Sequence, residues 1–371
     1  MTLLMTGGAG FLGLHLVREH LLAGRHVTVL ADPDDVPARE RVERFLAADG
    51  AIGRLPARLR DLLAVVDVNT THHSLGLSPL QERALAARAT ELWHVPTSVV
   101  PSGHDTDVWP TTVSGTENVL RFAARLHPAA PLRHVSTAFV AGRTRTGTFL
   151  EQHSAEVAEF ESSAERAKHM TEGLVRRWAN RHGRGALIVR PGILVPGPLP
   201  ADALPEHPLR VLGRTIAGIV AQAPARSSRL LLRIFAEPRA FLNLLQAGWA
   251  ARTMLRLGER VTGPGTHTVH VVHPTDTPVR TIFQAIEDVR RVRLRMTPTE
   301  PAEPTRAERA FYERAAGFLP YLHHRRRFDD AALRRHGVEV APPAAIDRAY
   351  LRDVVAADLS TGWGRGLAAA A

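Results

Sequence analysis

The chain has 371 residues, 44% of them hydrophobic, with 47 basic and 37 acidic side chains and a formal net charge of +10. That balance is globular, and the length suits a large α/β unit with a smaller appended part. It contains no cysteine, which excludes disulfides, zinc thiolates and a thiol nucleophile. All but one of the basic residues are arginine, the exception being Lys168; the skew reads as a GC-rich coding bias. The clusters Arg290-Arg291-x-Arg293-x-Arg295 and Arg325-Arg326-Arg327 carry no interleaved aromatic residues. They suit solvent or an anionic ligand, and no nucleic-acid partner is expected.

In chain order, the N-terminus runs directly into the apolar Leu3-Leu4-Met5, and Arg18, Glu19 and His20 interrupt the next apolar stretch. Neither a signal peptide nor a membrane span is therefore expected, and the protein reads as cytoplasmic. Further apolar runs follow at Val27–Leu30, Ala64–Val68, Glu91–Val95, Arg133–Val140 and Ala186–Val189. Helix-like stretches alternate with them at Phe11–Ala23, Arg39–Ala47, Gln81–Ala89, Thr111–Leu126 and Ser163–Arg181. The alternation predicts an α/β fold, a Rossmann doubly wound parallel sheet. A proline-rich passage from Pro191 to Pro208 marks a change, and roughly fifty residues of helical, arginine-bearing sequence follow, Leu209–Leu257. The reading divides the chain into a dinucleotide-binding domain (1–198, with 265–292 returning to it), a helical lid or substrate insertion (199–262) and a C-terminal segment (293–371). The lid offers Ile216, Ile219, Val220, the Leu230–Phe235 run, Phe241 and Trp249 to a large flat ligand. Nineteen histidines show no His-Glu-x-x-His; His267, His270 and His273, three apart on a strand, do not share a face, and no metal site is expected.

The strongest chemical signal is Thr6-Gly7-Gly8-Ala9-Gly10-Phe11-Leu12-Gly13 between a strand and a helix. Gly7 permits the tight turn, Gly10 lets backbone approach a pyrophosphate, and Gly13 lets helix pack on strand. The helix N-terminus adds amide donors and partial positive charge. Asp32 ends the second strand, where an acid accepts hydrogen bonds from the adenosine ribose of NAD; Arg39 and Arg41 are within reach of the 2′-phosphate of NADP. The cofactor expected is NADPH or NADH.

With these residues the chain resembles the extended short-chain dehydrogenase/reductase superfamily, nearest its thioester-reductase and fatty-acyl-CoA-reductase branch. Val113-Ser114-Gly115-Thr116-Glu117-Asn118-Val119-Leu120, Leu75-Gly76-Leu77-Ser78, His134-Val135-Ser136-Thr137-Ala138-Phe139-Val140 and Arg190-Pro191-Gly192 carry the likeness further. The resemblance implies that Asp67 and Val68 contact adenine, that Thr137 and Lys168 are catalytic, and that Lys168 and Pro191 help hold the cofactor. Trp93-His94-Val95-Pro96-Thr97-Ser98 departs from the branch pattern, and Thr97 brings a hydroxyl towards substrate or ribose.

One member of the resembled set is missing. The branch carries Tyr-x-x-x-Lys on one helix, but Ala164 stands four residues before Lys168. The three tyrosines, Tyr312, Tyr321 and Tyr350, lie far along the tail. Hydride transfer to a ketone creates an alkoxide that needs a proton. Three sources stay open: a water or a histidine such as His169 or His153; a phenol on the substrate itself; or none, in a non-catalytic dinucleotide-binding regulator. The favoured reading is the substrate phenol, which gains from proximity. It resembles the tyrosine-less ketoreductases that act on angucyclinones of the simocyclinone type, implying a small-molecule aromatic polyketide substrate and a monomer or homodimer. Reduction of thioesters on a carrier protein or coenzyme A is the alternative; a sugar-nucleotide epimerase or dehydratase fits poorly without the acid–base residue.

Overall fold

A computed structural model describes residues 2–33, 36–50, 59–96, 108–152, 159–197, 199, 203–222 and 229–357. At its centre is a sheet of seven strands, numbered here in chain order: β1 (Thr2–Thr6), β2 (Val27–Ala31), β3 (Leu63–Asp67), β4 (Ala89–His94), β5 (Leu132–Val135), β6 (Gly185–Pro191) and β7 (Gly265–Val271). All are parallel, in the order β7-β6-β5-β4-β1-β2-β3. Every residue of β1 and β2 is buried, as expected of central strands covered by helices on both faces. The pleat sorts their side chains. Leu3, Met5, Val27 and Val29 join one apolar cluster, while Leu4 and Leu30 join the cluster on the opposite face.

Local chemistry fixes the flanking helices. Ser78 and Gln81 form a reciprocal capping box at the start of Pro79–Arg88. Ser162 accepts from the Glu165 N–H to open Ser163–His182, and Gly183, left-handed at φ 60°, closes it. The sheet order turns back on itself where β1 meets β4, so the carboxyl ends of the strands open a crevice there.

The stretch 199–262 is not one helical lid. It holds the helix Pro208–Ala221, the strand Leu230–Phe235, two short strands, and the helix Ala247–Arg260. The last packs against the first helix, Phe11–Leu22, and buries Met254 and Leu257 in the core of the dinucleotide domain. Trp249 lies in that same core and donates its indole N–H to the Ala341 carbonyl, so it stacks on no ligand. Leu230–Phe235 pairs in parallel with Val292–Thr297; a short apolar run has no period that separates strand from helix, and pairing decided it. Ile216, Ile219, Leu232 and Ile234 fill a second core with the helices Val279–Val289, Arg306–Arg314 and Arg348–Ala357. The apolar run through Val140 also divides: β5 stops at Val135, and Ala138–Ala141 forms a 3₁₀ turn.

A small second sheet ties the tail back. Arg325–Phe328 pairs in parallel with Thr146–Phe149, and Phe328 packs its ring 5.3 Å from that of Phe139. The turn Ala316–His323, just upstream of that strand, is thereby held over the carboxyl end of β5.

Candidate active site

Gly7 is left-handed at φ 67°, and a Cβ there would stand 1.9 Å from the Val95 carbonyl oxygen. A Cβ on Gly13 would stand 2.0 Å from the Gly7 oxygen. Both positions therefore exclude every other residue. The Gly10 N–H donates to the Gly7 carbonyl at 3.0 Å, closing the turn. No side chain caps the helix that starts at Phe11. Its first amides are left to a ligand, and a pyrophosphate is what such a bare, glycine-lined N-terminus fits. The turn, with Phe11 and Leu12, forms one end of a cavity of about 480 Å³.

The other residues expected at the cofactor divide into two groups. Asp32, Arg41 and Pro191 line the cavity. The Asp32 carboxylate accepts from the Thr70 N–H at 2.7 Å and from its hydroxyl at 3.0 Å, which fixes its orientation. Arg39 turns elsewhere, donating to the Leu63 carbonyl. Thr6 is buried, with its hydroxyl 2.7 Å from His94 Nδ1. His94 Nε2 in turn meets the Thr116 hydroxyl at 2.9 Å, so Thr6 belongs to an internal polar chain behind the glycine turn. Asp67 ends β3 and Val68 follows it; neither is among the residues that line the cavity. Thr97 lies outside the described residues, as does His153.

Thr137, Ala164 and Lys168 line the same cavity. The Lys168 ammonium is buried and donates to the carbonyls of Pro96 at 3.0 Å and Val135 at 3.2 Å. Burial pulls its pKa down to about 7. Its neighbour Glu172 grips Arg190 instead, through two bonds of 2.8 and 2.7 Å between fully buried groups. That pair clamps the Ser163–His182 helix to β6. His169 packs on Phe160 and lies off the cavity.

The site does contain a phenol. Tyr321, held in the returning turn, lines the same cavity as Thr137, Ala164 and Lys168. Its hydroxyl donates to Glu165 Oε1 at 2.6 Å, and its ring meets Phe139 edge-on at 5.6 Å. Glu165 follows the alanine that stands in tyrosine's place, lines the cavity too, and has its pKa raised to about 7 by burial. The helix supplies only the Ala164 methyl, as the sequence indicates, but a phenol from another part of the chain lines the same cavity. Sequence gave one usable hint, a tyrosine followed by the arginine-rich strand that docks it.

Much of the rest of the lining is apolar, with Leu209, Leu212, Leu242, Ile282, Phe283 and Phe318 among others, and Glu206 and His207 also line it. Phe241 and the Leu230–Phe235 strand do not line it. Among the described residues no group of three histidines, acids or cysteines is placed to hold a metal, and no helix is long and apolar enough to cross a membrane.

With this geometry in view, comparison with known proteins is decisive for the family. The model of an NAD-binding family described as male sterility protein matches residues 5–229, more than half of the chain. The chain belongs to that family. It is an NAD(P)H-dependent oxidoreductase with a Rossmann fold of the short-chain dehydrogenase/reductase type. An NRPS-like oxidoreductase, fscA, of Fusarium equiseti is 26% identical over 228 residues, 59% of this chain and 20% of that protein. The chain thus spans about a fifth of the curated relative it matches. Among solved structures, the reductase domain of a Mycobacterium tuberculosis nonribosomal peptide synthetase superposes with a TM-score of 0.72 at 20% identity, covering 95% of this chain and 90% of that one. The terminal R domain of the myxalamid PKS-NRPS pathway gives 0.69 at 18%, covering 97% and 89%. A UDP-galactose 4-epimerase gives 0.65 at 15%, covering 98% and 100%. These likenesses show a common fold.

Proposed function

We propose that this family member reduces the carbonyl of an apolar acyl thioester, carried by a protein or by coenzyme A, with NAD(P)H. The observation that carries the reading is the continuity of one cavity, from the glycine turn past Thr137 and Lys168 into a chamber of leucine, isoleucine and phenylalanine side chains. The bound nicotinamide supplies the hydride. Lys168 sits where it would hold the nicotinamide ribose and add positive charge near the forming oxyanion. It exchanges its two carbonyl acceptors for ribose oxygens as the cofactor enters. Thr137 offers a hydroxyl to the same oxygen. The apolar chamber takes the acyl chain and excludes water from the reacting carbonyl, which strengthens each of those polar contacts. The 26% identity to an NRPS-like oxidoreductase, with superposition on the reductase domains somewhat closer than on the epimerase, supports a thioester over a sugar nucleotide.

A second reading is reduction of a ketone on an aromatic polyketide. The observation favouring it is the presence of Phe283 and Phe318 in the chamber's lining, whose rings suit a fused aromatic substrate. Its proton no longer needs a substrate phenol, because Glu165 and Tyr321 already stand in the cavity. Incubating the purified protein with NADPH or NADH and acyl thioesters, or with ketones bearing and lacking adjacent phenols, separates the two. Cofactor oxidation with release of free thiol supports the thioester reading. Oxidation by ketones alone, without thiol release, replaces it with the polyketide reading. Tight dinucleotide binding without turnover of either class would leave a regulator.

A further inference from the structure

We propose that Tyr321 and Glu165 together are the acid of this site, a proton donor split between the C-terminal turn and the helix that lacks the usual tyrosine. The inference rests on the reductase reading above and adds the source of the proton.

The geometry is that of a built pair. Tyr321 Oη and Glu165 Oε1 are 2.6 Å apart, and both residues line the cavity beside Thr137 and Lys168. The helix positions Glu165 three residues, close to one turn, before Lys168, on the same face. Two other contacts fix it: its N–H donates to the Ser162 hydroxyl, and its second oxygen accepts from the Glu161 N–H. A glutamate placed only for structure gains nothing by lying against a ligand cavity with a phenol on it.

The step balances as follows. Hydride adds to the carbonyl carbon, and the C=O pair moves onto oxygen. That oxygen takes the Tyr321 proton, and the phenolate takes a proton from the Glu165 carboxyl. Solvent then restores Glu165. When Glu165 is protonated it donates to Tyr321 Oη, and the phenol O–H is turned to the substrate. When Glu165 is ionised the phenol O–H is tied to the carboxylate instead. Reduction therefore runs at full rate with Glu165 protonated, below about pH 7, and falls as pH rises through that value.

The charged groups facing the pair set this balance. Arg326, from the strand after the turn, draws the pKa of Glu165 down. Glu161, from the loop before the helix, pushes it up while itself held by His324 at 3.2 Å. On the same helix Lys168 also titrates near 7, so the wild-type profile alone does not identify the group.

Three variants of the full chain test the pair. Tyr321→Phe should lower kcat about a hundredfold or more with the Kd for NADPH unchanged. Glu165→Gln should lower kcat by about tenfold and make the fall in rate above pH 7 shallower, leaving only the part that Lys168 contributes. Tyr312→Phe, away from the cavity, should match wild type. Infrared difference spectra of wild type against Glu165→Gln, without cofactor, should show a protonated carboxyl that disappears across pH 7; this readout stands even if Tyr321→Phe folds poorly. Wild-type turnover retained in Tyr321→Phe, wild-type turnover retained in Glu165→Gln, or a carboxyl already ionised at pH 6 would each overturn the pair and leave the reductase reading intact. Absence of NAD(P)H oxidation by wild type with every carbonyl would overturn both.

Discussion

The two ends of the cavity are built on different principles. The cofactor end is backbone: a left-handed Gly7, a Gly13 with no room for a methyl, and bare helix amides, all within eight consecutive residues. The reacting and substrate end is side chain, gathered from the Ser163–His182 helix, the Pro208–Ala221 helix, the Val279–Val289 helix and the Ala316–His323 turn. A backbone site tolerates almost no substitution but is made by a short stretch. A side-chain site distributes its demands, so one of its members can move elsewhere in the chain while the chemistry is kept.

The comparison can be broken first at its stiffest point. Gly13→Val places a Cβ 2.0 Å from the Gly7 oxygen and 2.7 Å from Gly8 Cα. It should weaken NADPH binding at least a thousandfold, about 4 kcal/mol, by titration calorimetry; binding within tenfold of wild type would show that the turn does not seat the dinucleotide. Next is the clamp joining the two ends. Arg190→Met removes the closest cation from the buried Glu172, leaving Arg176 at 3.6 Å, and should cost about 3 kcal/mol of stability in urea unfolding. A loss under 1 kcal/mol would mean the helix is held by packing alone.

Smaller effects sharpen the contrast. Lys168→Met should reduce kcat/KM about a hundredfold, with the fold unchanged by circular dichroism; full activity would remove the lysine from the machinery. Smallest is the adenosine end, where Asp32 and Arg41 both line the cavity. Arg41→Ala should shift the NADPH-over-NADH preference by about tenfold, and an unchanged ratio would assign no 2′-phosphate contact to it.

The same division explains what was legible in the sequence. The strand, glycine turn and helix from Thr2 to Leu22 are determined by neighbours in the chain, and the alternation that follows gives the sheet. The gap at Ala164 was equally plain. What fills it was not, because Tyr321 and Glu165 lie 156 residues apart and meet only through the pairing of Arg325–Phe328 with Thr146–Phe149. No local period encodes that contact. The helical insertion failed for the opposite reason: Leu230–Phe235 reads as well in either state until Val292–Thr297 is placed beside it.

The late position of Tyr321 orders events during synthesis. A ribosome adding 5–20 residues per second needs on the order of ten seconds to travel from the end of β6 to the returning turn. During that interval the glycine turn and most of the sheet have left the exit tunnel without their phenol. A nascent chain at this stage has its dinucleotide cradle but no acid to complete a reduction, so competence arrives with the tail.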